Sequence, residues 1–219
     1  MRLFSTGIFL FAAGFYAVCL TRHAAVSEKI AAQVQRQTVA VDVAASGFMG
    51  SGICAGRYVW TAAHNFDAAT EAPVSDVCKV HTIHGVTARC KLVVFDRATD
   101  IAVLELPAGV SVEGAEWFDG TAPVGRRVYV VGTPKGALCT VTRGIVTGVS
   151  RKVEGWTTKL DGTDAAIDNG SSGGGVYSAK DGKLLGMTVG GVSNTQNYFV
   201  PVRELRLFAE AHKLPLSGK

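Results

Sequence analysis

The sequence predicts an all-β protein, a barrel or sandwich of many short strands with helical segments at its two ends. Two observations carry this. From Val39 to Tyr198, short apolar runs rich in valine, isoleucine and tyrosine recur at near-regular spacing, punctuated by glycine. The composition agrees: 26 glycines in 219 residues, with 47% hydrophobic and 18% charged, describe a folded chain with many turns and exclude a disordered or coiled-coil one. This length holds one compact domain or two small lobes and enough core to fold unaided. A net charge of +4 with no run of Lys/Arg gives no reason to expect a nucleic-acid partner.

The elements follow in order. Residues 1–22 hold an uncharged run, "LFSTGIFLFAAGFYAVCL" from Leu3 to Leu20, bounded by Arg2 and Arg22. About 17–25 apolar residues span a bilayer as a helix, whereas a secretory signal has a shorter apolar centre and a small-x-small cleavage site. The run has the full length and its best cleavage site, Ala17-Val18-Cys19, is poor, so a membrane anchor is favoured over a cleaved signal. The remainder of the chain then lies outside the bilayer, or is secreted or periplasmic if the segment is removed. Positive charge on both flanks leaves the orientation unset. Residues 23–38, with Val26, Ile30 and Val34 at helical spacing, read as a stalk helix packing on the domain. Then come the strand-like runs "RYVWTAA", "CKVHTI", "KLVVFD", "IAVLEL", "RVYVVG", "GIVTGV", "KLLGMTVGG" and "NYFVPV". The tail places Val202, Leu205, Phe208 and Ala209 on one face after Pro201, a closing helix over 201–213.

Three short segments carry chemistry. In "GSGICAGRYVWTAAHN", His64 follows a buried strand and two small residues, where backbone can pack closely; a lone histidine there is more often a structural hydrogen-bonder. In "RATDIAVLEL", Asp100 precedes a near-continuous apolar strand, as a plain turn residue would, or as a buried carboxylate holding an imidazole in one tautomer. The stretch "IDNGSSGGGVYS" reads as a flexible linker or as a loop around a nucleophile. A serine attacking a carbonyl needs N–H donors about 3 Å from the developing oxyanion, and Gly170 before Ser172 with Gly173, Gly174 and Gly175 after it permit that backbone. A strand, an Asp-Gly turn and a second strand follow at once, which a linker does not explain.

Together, in the order His, Asp, Ser, these segments resemble the trypsin-like serine peptidases, most closely the bacterial HtrA/Deg-type protease domain. The resemblance covers roughly Val39 to Leu207 and rests on "TAAH", "DIAVLEL", "GTPKGALCTVTRGIVTGV" and "DAAIDNGSSGGGVYS…GMTVGG…YFVPV". It implies two packed six-stranded antiparallel barrels within a domain over 39–214, one barrel about 39–115 and the other about 120–200, with the site in the cleft between them. It implies His64 as general base, Asp100 as its orienter, Ser172 as nucleophile and the N–H groups of Gly170 and Ser172 as oxyanion hole. It places Ala166 at the floor of the specificity pocket and Val189, Gly190 and Gly191 along its wall. An uncharged floor predicts cleavage after small or medium uncharged residues of a protein or peptide, and the strand Met187 to Val192 offers an edge to an extended substrate. No metal or organic cofactor is needed. The resemblance makes a homo-oligomer possible, since trimers are common in the family, but no aromatic cluster in the stalk compels one.

Departures from the family are equally legible. Ser171 replaces the aspartate that pairs with a new N-terminus in digestive relatives, so activation by cleavage is not expected. Gly175 replaces a proline, which predicts a looser loop. HtrA-type enzymes carry a PDZ domain; here the sequence ends soon after its last helix, so control of that kind is expected to be absent or supplied by another chain. Around the turn at His84-Gly85, "CKVHTIHGVTARC" sets Cys78 opposite Cys90, where a cross-strand disulfide is feasible. A zinc site on Cys78, His81, His84 and Cys90 is disfavoured because Cys78 and His81 point to opposite faces of a strand. Three functions compete: a general serine endopeptidase, a viral or phage-type processing protease of narrow specificity, and a non-catalytic barrel that holds peptides.

Overall fold

The computed structural model describes residues 27–44, 47–66, 73, 75–193 and 196–215. Helix α1 over 27–36 leads into a first closed barrel of β1 (Thr38–Val43), β2 (Phe48–Ala55), β3 (Tyr58–Ala62), β4 (Val77–His81), β5 (Thr87–Asp96) and β6 (Ile101–Glu105). A second is built from β7 (Arg127–Gly132), β8 (Thr140–Arg151), β9 (Leu160–Thr163), β10 (Gly175–Ser178), β11 (Leu184–Ser193) and β12 (Gln196–Pro201), and helix α2 (Val202–Ala211) closes the chain. The strand orders are β1-β2-β3-β6-β5-β4 and β10-β11-β12-β9-β8-β7, all antiparallel, so the expected pair of six-stranded barrels is what the protein adopts. Closure joins β1 to β4 and β10 to β7 and leaves neither sheet a free outer strand.

Side-chain alternation builds three cores from these strands. The interior of the first barrel takes Val39, Val41, Cys54, Val59, Val80, Ala102 and Leu104. Val128, Val130, Val146, Val176, Leu185 and Phe199 fill the second. Strands with unbroken apolar runs serve two cores at once. In β6, Ala102 and Leu104 face into the barrel while Ile101 and Val103 face out; in β7, Val128 and Val130 face in while Tyr129 and Val131 face out. The outward residues meet in a third core between the barrels, with Trp60 at its centre, edge-on to Trp117 at 5.3 Å and to Phe208 of α2 at 6.0 Å.

Both described helices dock on this third core. Ile30 and Val34 of α1 are buried in it, as are Val202, Leu205, Phe208 and Ala209 of α2, the face expected from the sequence. Polar contacts fix the alignment. The Thr38 and Tyr177 hydroxyls bond across the barrels at 2.9 Å, and the Gln35 amide donates to Cys139 O at 2.9 Å. Among the described residues no helix is long and apolar enough to cross a membrane; the run Leu3 to Leu20 lies outside them.

Cys78 pairs directly with Cys90 across β4 and β5, yet the two, like Cys54 and Cys139, are buried free thiols rather than a disulfide. Both point into the first barrel, while His81 faces Asp42 at 3.8 Å and bonds Thr87, so these residues do not converge on a metal site. Burial pushes the thiols up, Cys78 to about 12 and Cys90 and Cys139 to about 11, with Cys54 raised further. Iodoacetamide at neutral pH is therefore expected to leave these four unmodified in the folded protein and to react with all of them in denaturant. Mass spectrometry showing rapid native modification of Cys90 would contradict this packing.

One ion pair is buried on one side. Asp161, 1% exposed in β9, accepts both terminal nitrogens of Arg203 at 2.8 and 3.0 Å and the Ser150 N–H at 2.8 Å. It ties α2 to the second barrel. Arg203→Met strands that carboxylate and is expected to cost about 2–4 kcal/mol in urea unfolding; a loss below half a kcal/mol would show the pair to be idle.

Candidate active site

Register places the first two residues. Ala62 of β3 pairs with Ile101 of β6, so the residues just after β3 lie beside the one just before β6. Those residues are His64, on the short 3-10 turn Ala63–Asn65, and Asp100. Asp100 is 2% exposed and sits at φ 56, a left-handed conformation that bends the chain tightly enough to point its carboxylate back at the histidine. Oδ2 lies 2.7 Å from His64 Nδ1, Oδ1 accepts the His64 backbone N–H at 2.8 Å, and the Asp100 carbonyl accepts Ala63 N–H at 3.1 Å. Arg97 Nη1 stands 3.6 Å from Oδ1. The bond at Nδ1 leaves Nε2 of His64 as the free ring nitrogen.

The loop carrying Ser172 descends from the second barrel, between β9 and β10, and docks on the first. Ser172 O accepts Ser51 N–H of β2 at 2.8 Å and the Asn65 amide at 3.0 Å. A side chain at Gly173, which has φ +86, would collide with Ser51 O and Ala62 N, so glycine is required for this approach. Asn65, next to His64 in the chain, thus holds the backbone of Ser172 itself. Ser172 is half-buried, and its hydroxyl has no hydrogen-bond partner among the described residues.

Carbonyl bonding sets the direction of the loop's N–H groups. Asn169 O accepts Lys135 N–H at 2.8 Å, Gly170 O accepts the Ser51 hydroxyl at 2.7 Å, and Ser171 O accepts the Thr188 hydroxyl at 2.5 Å. A planar trans peptide points its N–H opposite to its C=O. Anchoring the Asn169 and Ser171 carbonyls therefore turns the N–H groups of Gly170 and Ser172 the other way, and neither has a partner among the described residues. Lys135 (φ 51) reinforces the anchor with an exposed ion pair to Asp168 at 2.6 Å, which holds the Asp168 carboxyl below its usual range and raises the Lys135 ammonium.

Gly175 does not loosen the loop. It opens β10, pairs with Val131 and Met187, and has no room for a side chain because the Tyr177 ring lies over it. Ser171, standing where digestive relatives carry aspartate, is 4% exposed and donates its N–H to Asp168 O at 2.9 Å.

The residues expected to shape specificity separate into two places. Ala166 is exposed, its carbonyl bonded by the Thr142 hydroxyl at 2.8 Å, and it lines a cavity of about 300 Å³ with Gly132, Pro134, Ile167 and Ser171. Val189, Gly190 and Gly191 do not line that cavity; they belong to β11 beyond its pairing with β10, where β12 is the neighbour on one side only. Gly190 has φ +147 and open space around it. Ser51, Asn65, Lys135 and Thr188 were not singled out from sequence. The one legible signal was "GSG", where the glycines flanking Ser51 leave no room for side chains against Asn65 and Val59.

Two closed antiparallel barrels, a His–Asp pair at the rim of one and a glycine-walled serine carried by the other define the chymotrypsin-like serine peptidase fold class. Residues 45–187 match the trypsin-like peptidase domain family, and the chain belongs to it. It is 36% identical over 138 residues to the magnetosome formation protease MamE of Magnetospirillum gryphiswaldense, covering 58% of this chain and 18% of that protein. It is 33% identical over 140 residues to the Do-like serine protease HtrB of Bacillus subtilis, covering 59% and 29%. The serine endoprotease structure from Yersinia pestis superposes with a TM-score of 0.74 at 22% identity, covering 84% of this chain and 65% of that one, a likeness of fold. The chain therefore spans less than a third of either curated relative's length.

Ser51 joins both barrels to the nucleophile loop: its hydroxyl donates to Gly170 O and accepts Thr133 N–H at 2.8 Å in a fully buried position. Ser51→Ala strands both groups, and chemical denaturation is expected to register a loss of about 1–3 kcal/mol. An unchanged midpoint would mean that the loop is held without it.

Proposed function

We propose that the protein is a serine endopeptidase of HtrA/Deg type, acting on proteins or peptides through an acyl-enzyme. The observation that carries this reading is the pairing of His64 Nδ1 with the buried Asp100, joined to a Ser172 loop whose Asn169, Gly170, Ser171 and Ser172 carbonyls are bonded by other segments. Ser172 Oγ attacks the scissile carbonyl while His64 Nε2 takes its proton. The Asp100 carboxylate keeps the imidazole in the required tautomer and stabilises the imidazolium. The N–H groups of Gly170 and Ser172 receive the oxyanion. His64 then protonates the leaving amine, and water activated by His64 releases the acyl group. No cofactor takes part in these steps.

Substrate backbone would lie along β11 beyond Thr188, where the strand lacks a partner opposite β12. The uncharged Ala166 and the glycines at 190 and 191 support a preference for small or medium uncharged side chains. The apolar run Leu3 to Leu20 supports a domain held at, or exported across, a membrane.

Full-length protein treated with a fluorophosphonate is expected to carry the label on Ser172 by mass spectrometry, with labelling abolished in Ser172→Ala and His64→Ala. Asp100→Asn is expected to slow it about 10³–10⁴-fold. Folded wild-type protein that takes no label would favour a barrel that holds peptides without cutting them.

A further inference from the structure

A second constellation lies on the outer side of the second barrel, at the end of β7 away from the nucleophile loop. There a cavity of about 770 Å³ is lined by Arg126, Arg127, Arg143 and Lys180, with Tyr129 and Ser27 among the other walls. Its size suits a small-molecule group. Sequence hides this cluster, because the cations come from the start of β7, from β8 and from the turn after β10. The folded barrel gathers them: Gly144 pairs with Val128, and Ala179 donates its N–H to Arg127 O at 3.0 Å.

The four cations lack acidic partners. Elsewhere Arg36 meets Glu113, Lys183 meets Glu116, Arg203 meets Asp161 and Arg206 meets Asp119. None of the four at the cavity has a carboxylate within ion-pair distance among the described residues, and no acidic residue lines it. The nearby carboxylates are engaged by backbone: Asp164 accepts Ile145 N–H at 2.6 Å and Asp181 accepts Lys183 N–H at 3.3 Å. Packing positions two of the guanidinium groups. Arg143 lies over the Tyr129 ring at 5.5 Å, with the Tyr129 hydroxyl bonded to Ser27, and Arg126 lies over Phe118 at 5.0 Å while donating to the Ser178 hydroxyl at 3.2 Å. Like charges gathered around one concavity repel each other until an anion enters, and planar guanidinium donors suit phosphate oxygens.

We propose that this cavity binds a phosphate group, the chemistry shared by anionic phospholipid headgroups and soluble phosphates. Two features favour the headgroup. Val124, 60% exposed, stands on the rim beside the cations, an apolar contact for acyl chains. Ser27, in the cavity wall, follows the apolar run ending at Leu20 after only six residues, two of them Arg22 and His23, so a bilayer holding that run would meet this face.

The test uses full-length protein, wild type and Arg127→Ala/Arg143→Ala; both arginines are exposed, so the fold does not depend on them. Lys79→Ala/Arg89→Ala, removing two exposed cations of the first barrel, is the control. Calorimetry with pyrophosphate reads the soluble source; co-flotation with phosphatidylglycerol-containing vesicles against phosphatidylcholine vesicles reads the headgroup. Wild type and control are expected to bind alike, with the arginine pair weakened roughly tenfold or more. Selective loss on vesicles assigns a headgroup, and selective loss on pyrophosphate alone assigns a soluble phosphate. No binding to either probe, or equal losses in the two double variants, overturns the site.

Discussion

The packing of one barrel against the other is the constraint on which the remainder of the molecule depends. Each barrel closes on its own interior, but the catalytic-type residues are divided between them: the His–Asp pair sits on the first and the serine on the second. Nothing within either barrel relates these groups. Their relation comes from the third core, where Trp60, Ile101 and Val103 of one barrel meet Tyr129, Val131, Tyr177 and Met187 of the other. Apolar burial is non-directional, so it supplies attachment rather than aim. Aim comes from a few buried hydrogen bonds laid over it: Thr38 to Tyr177, Ser51 to Gly170, and Asn65 to the Ser172 carbonyl. Their geometry tolerates little displacement.

Strand identity was legible where a strand carries enough apolar residues to show a period. "RVYVVG" and "IAVLEL" stood out because both of their faces are buried, each in a different core. β2 and β9 were not singled out, for opposite reasons. "FMGSGICA" is interrupted by glycines that make room for Asn65 and Val59, so it shows no apolar period. "LDGT" spans four residues and spends one on the buried Asp161, whose partner Arg203 comes from a helix forty-two positions away. Local pattern carries no information on a pair so distant in sequence.

The site divides in the same way. His64, Asp100 and Ser172 were legible because each sits close to a strand end with a local signal: small residues before His64, an apolar strand after Asp100, glycines around Ser172. Ser51, Lys135 and Thr188 were not, since they act mainly through contacts between segments far apart in sequence. The cationic cavity is the extreme case, with the described chain contributing its residues from four separate segments.

The anchor of Asn169 O has a consequence for how this domain can vary. The group that holds that carbonyl is the main-chain N–H of Lys135, and the donor it turns, on Gly170, is main-chain as well, whereas the Ser172 N–H follows from Ser171 O, held by the Thr188 hydroxyl and the Gly174 N–H. Every amino acid except proline supplies that N–H. The Gly170 peptide is thus insulated from the side chain at 135: substitution there alters the ion pair with Asp168 but leaves the peptide orientation intact, provided the left-handed φ is retained. The side chain at 135 is free to drift without rebuilding that donor, while Ser51, Thr188 and Asn65, which hold the next three carbonyls through their side chains, are not. A donor aimed through the backbone survives change at the very position that aims it.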